Sequence, residues 1–248
     1  PDGLRDALPY IDKLLEAFHI PKLYKDGYEA DDVVGTLAKK AEKAGFQVYM
    51  MTSDKDFAQL VSDNIFMYRP GNKWQSTAIW GIPEVLEKFD IQRVDQVIDF
   101  LGMMGDSADN IPGIPGIGKK TAQKFIKQYG SMEGLFANSH ELKGKMKENV
   151  ETSEEIGLLC KKLVTIITDV PIEFDAEHML LVPKNEEKIT TLFEELEFRT
   201  LLKRVLSATP SQASSPKKVE AITKVSSSPQ FDLFSQSSAP VAVAGENN

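Results

Sequence analysis

The sequence predicts an α/β fold that gives way to a helical half and then to a tail without regular structure. Three observations carry this. Short apolar runs at residues 46–51 and 65–68 alternate with segments of helical spacing as far as about residue 82. From residue 83 to 206 the periodic segments are almost all helical. At Ser207 the composition shifts, and the last 42 residues hold ten serines and four prolines with no sustained periodicity. Such a segment cannot bury enough apolar surface to offset the entropy of ordering. The division read from these shifts is 1–82 as the α/β core, 83–206 as a helical region and 207–248 as a disordered linker.

In chain order, Leu4, Ala7, Leu8, Ile11, Leu14, Leu15 and Phe18 mark a first helix. An extended stretch over Ile20 to Tyr24 follows, and Gly27 breaks the chain. Val33, Val34, Leu37, Ala38 and Ala41 mark a helix from about Ala30 to Ala44, which Gly45 stops. Phe46 to Met51 reads as a buried strand, with Thr52 to Asp56 as the loop at its C-terminal end, where open α/β sheets place their sites. A short helix at 57–61, a strand at 65–68 and a hairpin over 70–80 complete this half. Trp74 and Trp80 read as packing under that hairpin rather than as base-stacking platforms. Helices are expected at 83–89, 94–104, 119–128, within 131–164, at 186–196 and at 198–206, with a short strand at Ile172 to Phe174.

No apolar run approaches the roughly 20 residues needed to cross a bilayer. The lone cysteine, Cys160, sits among apolar helical neighbours, which excludes a disulfide framework, reads as a buried core residue and suits a reducing cytoplasm. The net charge of −8 argues on its face against nucleic acid as a partner. Local distribution matters more than the sum, and acids that bind cations are partly neutralised in the working protein.

Three acidic groups stand out: Glu29, Asp31 and Asp32; Asp54 and Asp56; Asp106 and Asp109. Singly, each has an ordinary explanation as a helix-terminal charge or a turn former. Their spacing suggests more. Glu29 and Asp32 share a helical face, Asp54 and Asp56 point the same way in an extended segment, and Asp106 and Asp109 are again three apart. Seven converging carboxylates would not all stay ionised without cations. Mg²⁺ or Mn²⁺, in a site of two or more ions, suits oxygen ligands of this kind. It would activate water for phosphodiester hydrolysis, with Asp32, Asp54 and Asp106 as the expected catalytic ligands. His19, His140 and His178 lie outside these groups, so neither a Ser/His/Asp set nor a zinc cluster competes.

Next to the third acidic group, Gly113-Ile114-Pro115-Gly116-Ile117-Gly118-Lys119-Lys120 reads as a glycine-rich hairpin opening into a helix. Helix N–H groups at such an end suit phosphate, and Lys119, Lys120, Lys124 and Lys127 add positive charge along the same helix. The candidate DNA-binding set is Gly113, Gly116, Ile117, Gly118, Lys119, Lys120 and Lys124.

Residues 28–56 and 102–130 resemble the 5′ nuclease domains of bacterial DNA polymerases I, in the flap endonuclease superfamily. The likeness rests on Gly27-Tyr28-Glu29-Ala30-Asp31-Asp32, Thr52-Ser53-Asp54-Lys55-Asp56, Gly105-Asp106-Ser107-Ala108-Asp109-Asn110 and the hairpin, and extends more loosely from residue 4 to Leu206. The resemblance implies a PIN-like, Rossmann-like core followed by a helix-hairpin-helix module. It implies removal of 5′ ends, flaps and RNA primers, acting on DNA with a 5′ flap, nick or primer end. It also implies a K⁺ ion held by hairpin carbonyls, here near Ile114 and Ile117. The family's first strand, two further metal-binding aspartates and a basic arch precede the segments matched here. The expectation is therefore a fragment with an incomplete metal site, little cutting by itself and a surviving grip on duplex DNA.

In the tail, Gln230-Phe231-Asp232-Leu233-Phe234 is an apolar island that resembles the short motif by which bacterial replication proteins bind the sliding clamp, with Gln230, Leu233 and Phe234 as the anchors. A bacterial cytoplasmic, nucleoid-associated monomer is the expected setting. The alternative reading is a duplex-binding module without catalysis, in which the acids serve only as caps and turns.

Overall fold

The computed structural model describes residues 2–71 and 76–207. Trp74, the clamp-like residues Gln230, Leu233 and Phe234, and nearly all of the expected linker lie outside the described residues. Among the described residues no helix is long and apolar enough to cross a membrane.

The α/β half is a three-stranded sheet in the order β1-β2-β3, formed by β1 (Val48–Met51), β2 (Ile65–Arg69) and β3 (Ala78–Trp80). β1 and β2 are parallel, with Val48 opposite Ile65. β2 and β3 are antiparallel, with Met67 opposite Trp80, which makes the predicted hairpin. Helix α1 (Asp2–Ala17) opens the described chain, and α2 (Ala30–Lys43) precedes β1. The helical half comprises α3 (Ile82–Phe89), α4 (Gln96–Met104), α5 (Lys119–Tyr129), α6 (Met132–Ala137), α7 (Gly144–Thr152), α8 (Glu154–Leu163), α9 (Glu186–Glu195) and α10 (Arg199–Ser207).

One core runs through both halves. Met50, Ile65 and Met67 of the sheet join Val85, Phe100 and Leu101, then Ile114, Phe125, Ile126, Leu135, Cys160 and Ile166. Burial on this scale, at roughly 25 cal/mol per Å² of apolar surface, is what holds the sheet and the helices as one body. A smaller cluster lies apart, where Ala17, Leu14 and Phe18 from α1 and the residues just after it meet Ile189, Leu192 and Phe193 of α9. Asn185 N–H donates to the Ala17 carbonyl at 2.8 Å, and Lys188 pairs with Glu16 at 2.6 Å.

Two expectations are corrected. Residues 172–174 form no strand. Their segment is held by side chains instead, with Lys40 Nζ donating to the Ile172 carbonyl and Phe174 edge-on to Phe46 at 5.7 Å. Residues after β1 do not stay extended through Asp56. They wind into a 3₁₀ turn over Lys55–Leu60, because the Asp54 side chain caps it by accepting from Asp56 N–H at 3.0 Å.

The end of α4 meets the start of the hairpin in a backbone crossing. Asp106 and Ile111 exchange two hydrogen bonds, at 2.8 and 2.7 Å. Gly105 and Gly113 face each other here with φ of 76° and 65°. A Cβ on Gly105 would lie 2.6 Å from the Ile111 carbonyl oxygen, and one on Gly113 would lie 2.5 Å from Gly105 N. Gly105→Ala therefore loses about 2 kcal/mol or more of stability, combining steric overlap with strain at positive φ. Gly45 has positive φ but open space around it, so Gly45→Ala loses only about 1 kcal/mol. Urea unfolding of the two variants checks the difference, and equal losses would refute the crowding at the crossing.

Candidate metal centre and nucleic-acid interface

The acids arrive from three places in the chain. Glu29 caps α2, with Asp31 and Asp32 in its first turn. Asp54 and Asp56 bracket the start of the 3₁₀ turn after β1. Asp106 and Asp109 lie on the turn closed by the Asp106–Ile111 bridge. Six of them, Glu29, Asp31, Asp32, Asp54, Asp56 and Asp109, line one cleft of about 300 Å³. Asp106 joins from its edge, since carboxylate oxygens of Asp56, Asp106 and Asp109 all lie within 4.8 Å of one another. All seven sequence-predicted acids are thus brought together.

The electrostatics record the crowding. Burial, reinforced by Asp54, holds the Asp56 carboxyl well above the usual carboxylate range, at about 6. Burial also raises Asp31, with Asp54 and Glu29 adding to it. Asp106 is lowered, chiefly because Lys55 Nζ donates to it. The same Lys55 ammonium lies 3.9 Å from Asp56 Oδ1. Asp56 Oδ1 is buried and, among the described residues, has no hydrogen-bond partner. An unsatisfied, buried carboxylate oxygen facing two further carboxylates fits a hard divalent cation with oxygen ligands.

Several of these acids also hold the fold. Asp32 Oδ1 accepts from Ile167 N–H at 2.8 Å, and its Oδ2 accepts from Glu29 N–H at 3.3 Å. Asp106 Oδ1 accepts from Ala108 N–H at 2.9 Å. The back wall of the cleft is the segment from Leu163 to Ile166. Gln59 fixes it, donating to the Val164 carbonyl and accepting from Ile166 N–H, both at 2.9 Å. Thr36 adds a hydrogen bond from Val170 N–H at 3.1 Å.

The hairpin lies between α4 and α5. Ile114 and Ile117 are buried, and Gly113 is buried at the crossing, so these three serve the interior and offer at most backbone atoms to a ligand. Gly116, Gly118, Lys119, Lys120 and Lys124 are exposed. Ile117 N–H donates to the Ile114 carbonyl at 3.0 Å, and Asn149 Nδ2 donates to the Pro115 carbonyl at 2.8 Å, which pins the tip to α7. α5 opens at Gly118, so its first N–H groups, lacking intrahelical partners, point outward beside the lysines. Lys127 lies further along and pairs with Asp90.

Lys55, Gln59 and the 163–167 wall were not foreseen from sequence. For Lys55 a signal existed, a cation between two selected acids. For Gln59 there was none, because its wall partner Val164 lies 105 residues away.

Comparison with known proteins gives consistent neighbours. A family model described as the 5′-3′ exonuclease N-terminal resolvase-like domain matches residues 1–90, and one described as the 5′-3′ exonuclease C-terminal SAM fold matches residues 92–187. A 5′-3′ exonuclease of Aquifex aeolicus is 36% identical over 209 residues, covering 83% of this chain and 68% of the relative. DNA polymerase I of Bacillus subtilis is 38% identical over 252 residues, covering 100% of this chain and 28% of the relative, so the chain spans just over a quarter of that protein. A flap endonuclease of bacteriophage T5, solved as a complex with DNA and metal ions, superposes with a TM-score of 0.56 at 21% identity, covering 82% of this chain and 66% of that one. At that identity the likeness establishes the shared fold.

The raised Asp56 gives a sign-checked expectation. Between the ordinary value of 3.8 and about 6 the folded state holds the proton more tightly than the unfolded one. Its contribution is therefore not destabilising at pH 4, and the penalty grows as pH rises to 6 and persists above. Without divalent cations, Asp56→Asn gains on the order of 2 kcal/mol at pH 7.5 and nothing at pH 4, read from urea unfolding in EDTA. A loss of stability at pH 7.5 would contradict the electrostatic account.

Proposed function

The chain belongs to the 5′-3′ exonuclease family, and from that premise we propose that it is the nuclease portion of a DNA polymerase I, hydrolysing phosphodiesters at 5′ ends and flaps of DNA. The observation that carries this is the meeting of seven carboxylates in one cleft next to a lysine-rich hairpin. A protein that only gripped DNA has no use for such a cleft, which repels phosphate unless cations cover it.

In this reading Asp56, Asp106 and Asp109 hold the cation directly, and Glu29, Asp31, Asp32 and Asp54 hold its hydration shell. Mg²⁺ or Mn²⁺, when bound, supplies the positive charge that makes a water nucleophilic and stabilises the leaving oxygen. Asp32, Asp54 and Asp106 are the acids we assign to catalysis. Their support is double use, since each has a carboxylate oxygen fixed by a backbone N–H and so presents the rest of its lone pairs in a set direction. Lys55 keeps Asp106 oriented while the cleft awaits a cation. The exposed hairpin residues Gly116, Gly118, Lys119, Lys120 and Lys124 grip duplex phosphates without reading sequence. We assign a K⁺ site to the hairpin carbonyls of Ile114 and Ile117, supported by the tight turn between them.

Nicks, flaps and RNA-primer ends are the substrates this assembly suits. We place the division between nuclease core and DNA-binding region near residue 82, just after the last strand. Clamp docking through residues 230–234, a monomeric state and a bacterial cytoplasmic setting complete the proposal.

The test is Mn²⁺ binding, followed by calorimetry, by the chain and by its Asp106→Ala, Asp109→Ala variant. Affinity is expected to fall at least about 10-fold in the variant, and any Mn²⁺-dependent cleavage of a 5′-flap duplex with it. Unchanged Mn²⁺ affinity alongside intact DNA binding would favour the non-catalytic duplex binder instead.

A further inference from the structure

Beside the acid cleft lies a second depression, of about 550 Å³, that the assignments above leave unused. Its wall runs from Asp54 and Lys55 past Arg69, Trp80 and Lys88 to Lys119. Asp54 also lines the acid cleft, and Lys119 is the first residue of the helix after the hairpin. The depression therefore spans the interval between the acid cleft and the hairpin helix.

Besides Lys55, which pairs with Asp106, three cations line it: Arg69, Lys88 and Lys119. With 37 acidic and 29 basic side chains, acids are in excess. Some lysines elsewhere pair with them. Lys161 pairs with Asp99 at 2.6 Å and Glu133 at 2.8 Å, and Lys127 pairs with Asp90. Arg69, Lys88 and Lys119 make no ion pair with a carboxylate among the described residues. Two of them are instead positioned by an aromatic ring. The Arg69 guanidinium lies 4.2 Å from the centre of the Trp80 ring, and the Lys88 ammonium lies 5.8 Å from it. Arg69 Nη2 also donates to the Ser53 carbonyl at 3.1 Å, which among the described residues leaves its remaining N–H groups to a ligand. An indole face holds a cation in place without neutralising it. Two cations held in this way, with Lys119 across the same concavity, make a site for an anion, and a guanidinium fork matches a phosphate.

We propose that this depression holds one backbone phosphate of the nucleic-acid strand that runs from the hairpin to the acid cleft. Arg69 and Lys88 contact the phosphate, Trp80 positions both, and Lys119 hands the strand on from the hairpin. The proposal rests on the reading of the chain as a nuclease. Its consequence is a fixed register, because a phosphate held beside Asp54 sets which neighbouring phosphodiester enters the acid cleft.

The experiment is binding of a 5′-flap duplex to the full chain in Ca²⁺, by fluorescence anisotropy across a salt series. Arg69→Ala, Lys88→Ala is expected to weaken binding about 5- to 10-fold and to flatten the slope of log affinity against log salt by about 0.9, the value for one phosphate contact on duplex DNA. Lys88→Glu alone, at an exposed position on α3, weakens binding at least about 5-fold, and it covers the case in which the double variant fails to fold. Lys120→Ala, Lys124→Ala, outside the depression, reports separately on the hairpin grip. Parent binding that Arg69→Ala, Lys88→Ala and Lys88→Glu both retain, with an unchanged salt slope, overturns the phosphate site alone. Failure of the parent to bind DNA overturns the nuclease reading and this proposal together.

Discussion

The crossing of two backbones at Gly105 and Gly113 is the constraint on which the site depends. There is no room for a Cβ on either strand of that crossing. Because both residues are glycine, the turn carrying Asp106 and Asp109 and the hairpin leading to Lys119 leave the same point in fixed directions. The paired hydrogen bonds between Asp106 and Ile111 lock that relation. The acidic turn and the lysine-bearing helix are thus positioned by a single local event. The buried side chains of Ile114 and Ile117 then anchor the hairpin into the main core, so the geometry inherits the rigidity of the whole fold.

The cleft is costly to assemble. Asp56 is buried with an unsatisfied oxygen, and Asp31 is raised by burial and then by its acidic neighbours. The chain offsets this partly by using three other carboxylates of the cleft as structural acceptors. Asp32 fixes the 167 backbone, Asp54 caps the 3₁₀ turn, and Asp106 takes a backbone N–H as well as Lys55. An acid that both builds the wall and faces the cleft is harder to replace than either position alone implies. An Asp32 variant loosens the back wall as well as removing a carboxylate from the cleft.

Much of this was legible in the sequence. The helices, the strands and the hairpin follow from local periodicity and short motifs, which sequence displays best, although the first strand starts at Val48 and exposes Tyr49 and Met51 where a buried strand over Phe46 to Met51 is expected. Spacing within each acidic group is local too, while the meeting of all seven acids is legible only through the family resemblance. The misses share a physical origin. Residues 172–174 have strand-like character, yet Lys40 and Phe46 capture the segment before a sheet edge does. Asp54 and Asp56 were expected to lie on an extended segment, but capping by Asp54 winds the chain. Gln59, Thr36 and Asp32 reach partners more than 100 residues away, and no window of sequence contains both ends of those bonds.

Those long-range bonds bear on how the molecule is divided. The two matched family segments meet between residues 90 and 92, which invites treating them as interchangeable parts. Yet Gln59 and Asp32 from the first segment hold the backbone at 164–167 of the second, and one hydrophobic core spans both. The seam in the sequence is not a seam in the energetics. Halves taken from two different relatives would have to agree on this wall as well as on the core. Recombination across residue 91 is therefore penalised even when each half is well formed on its own terms.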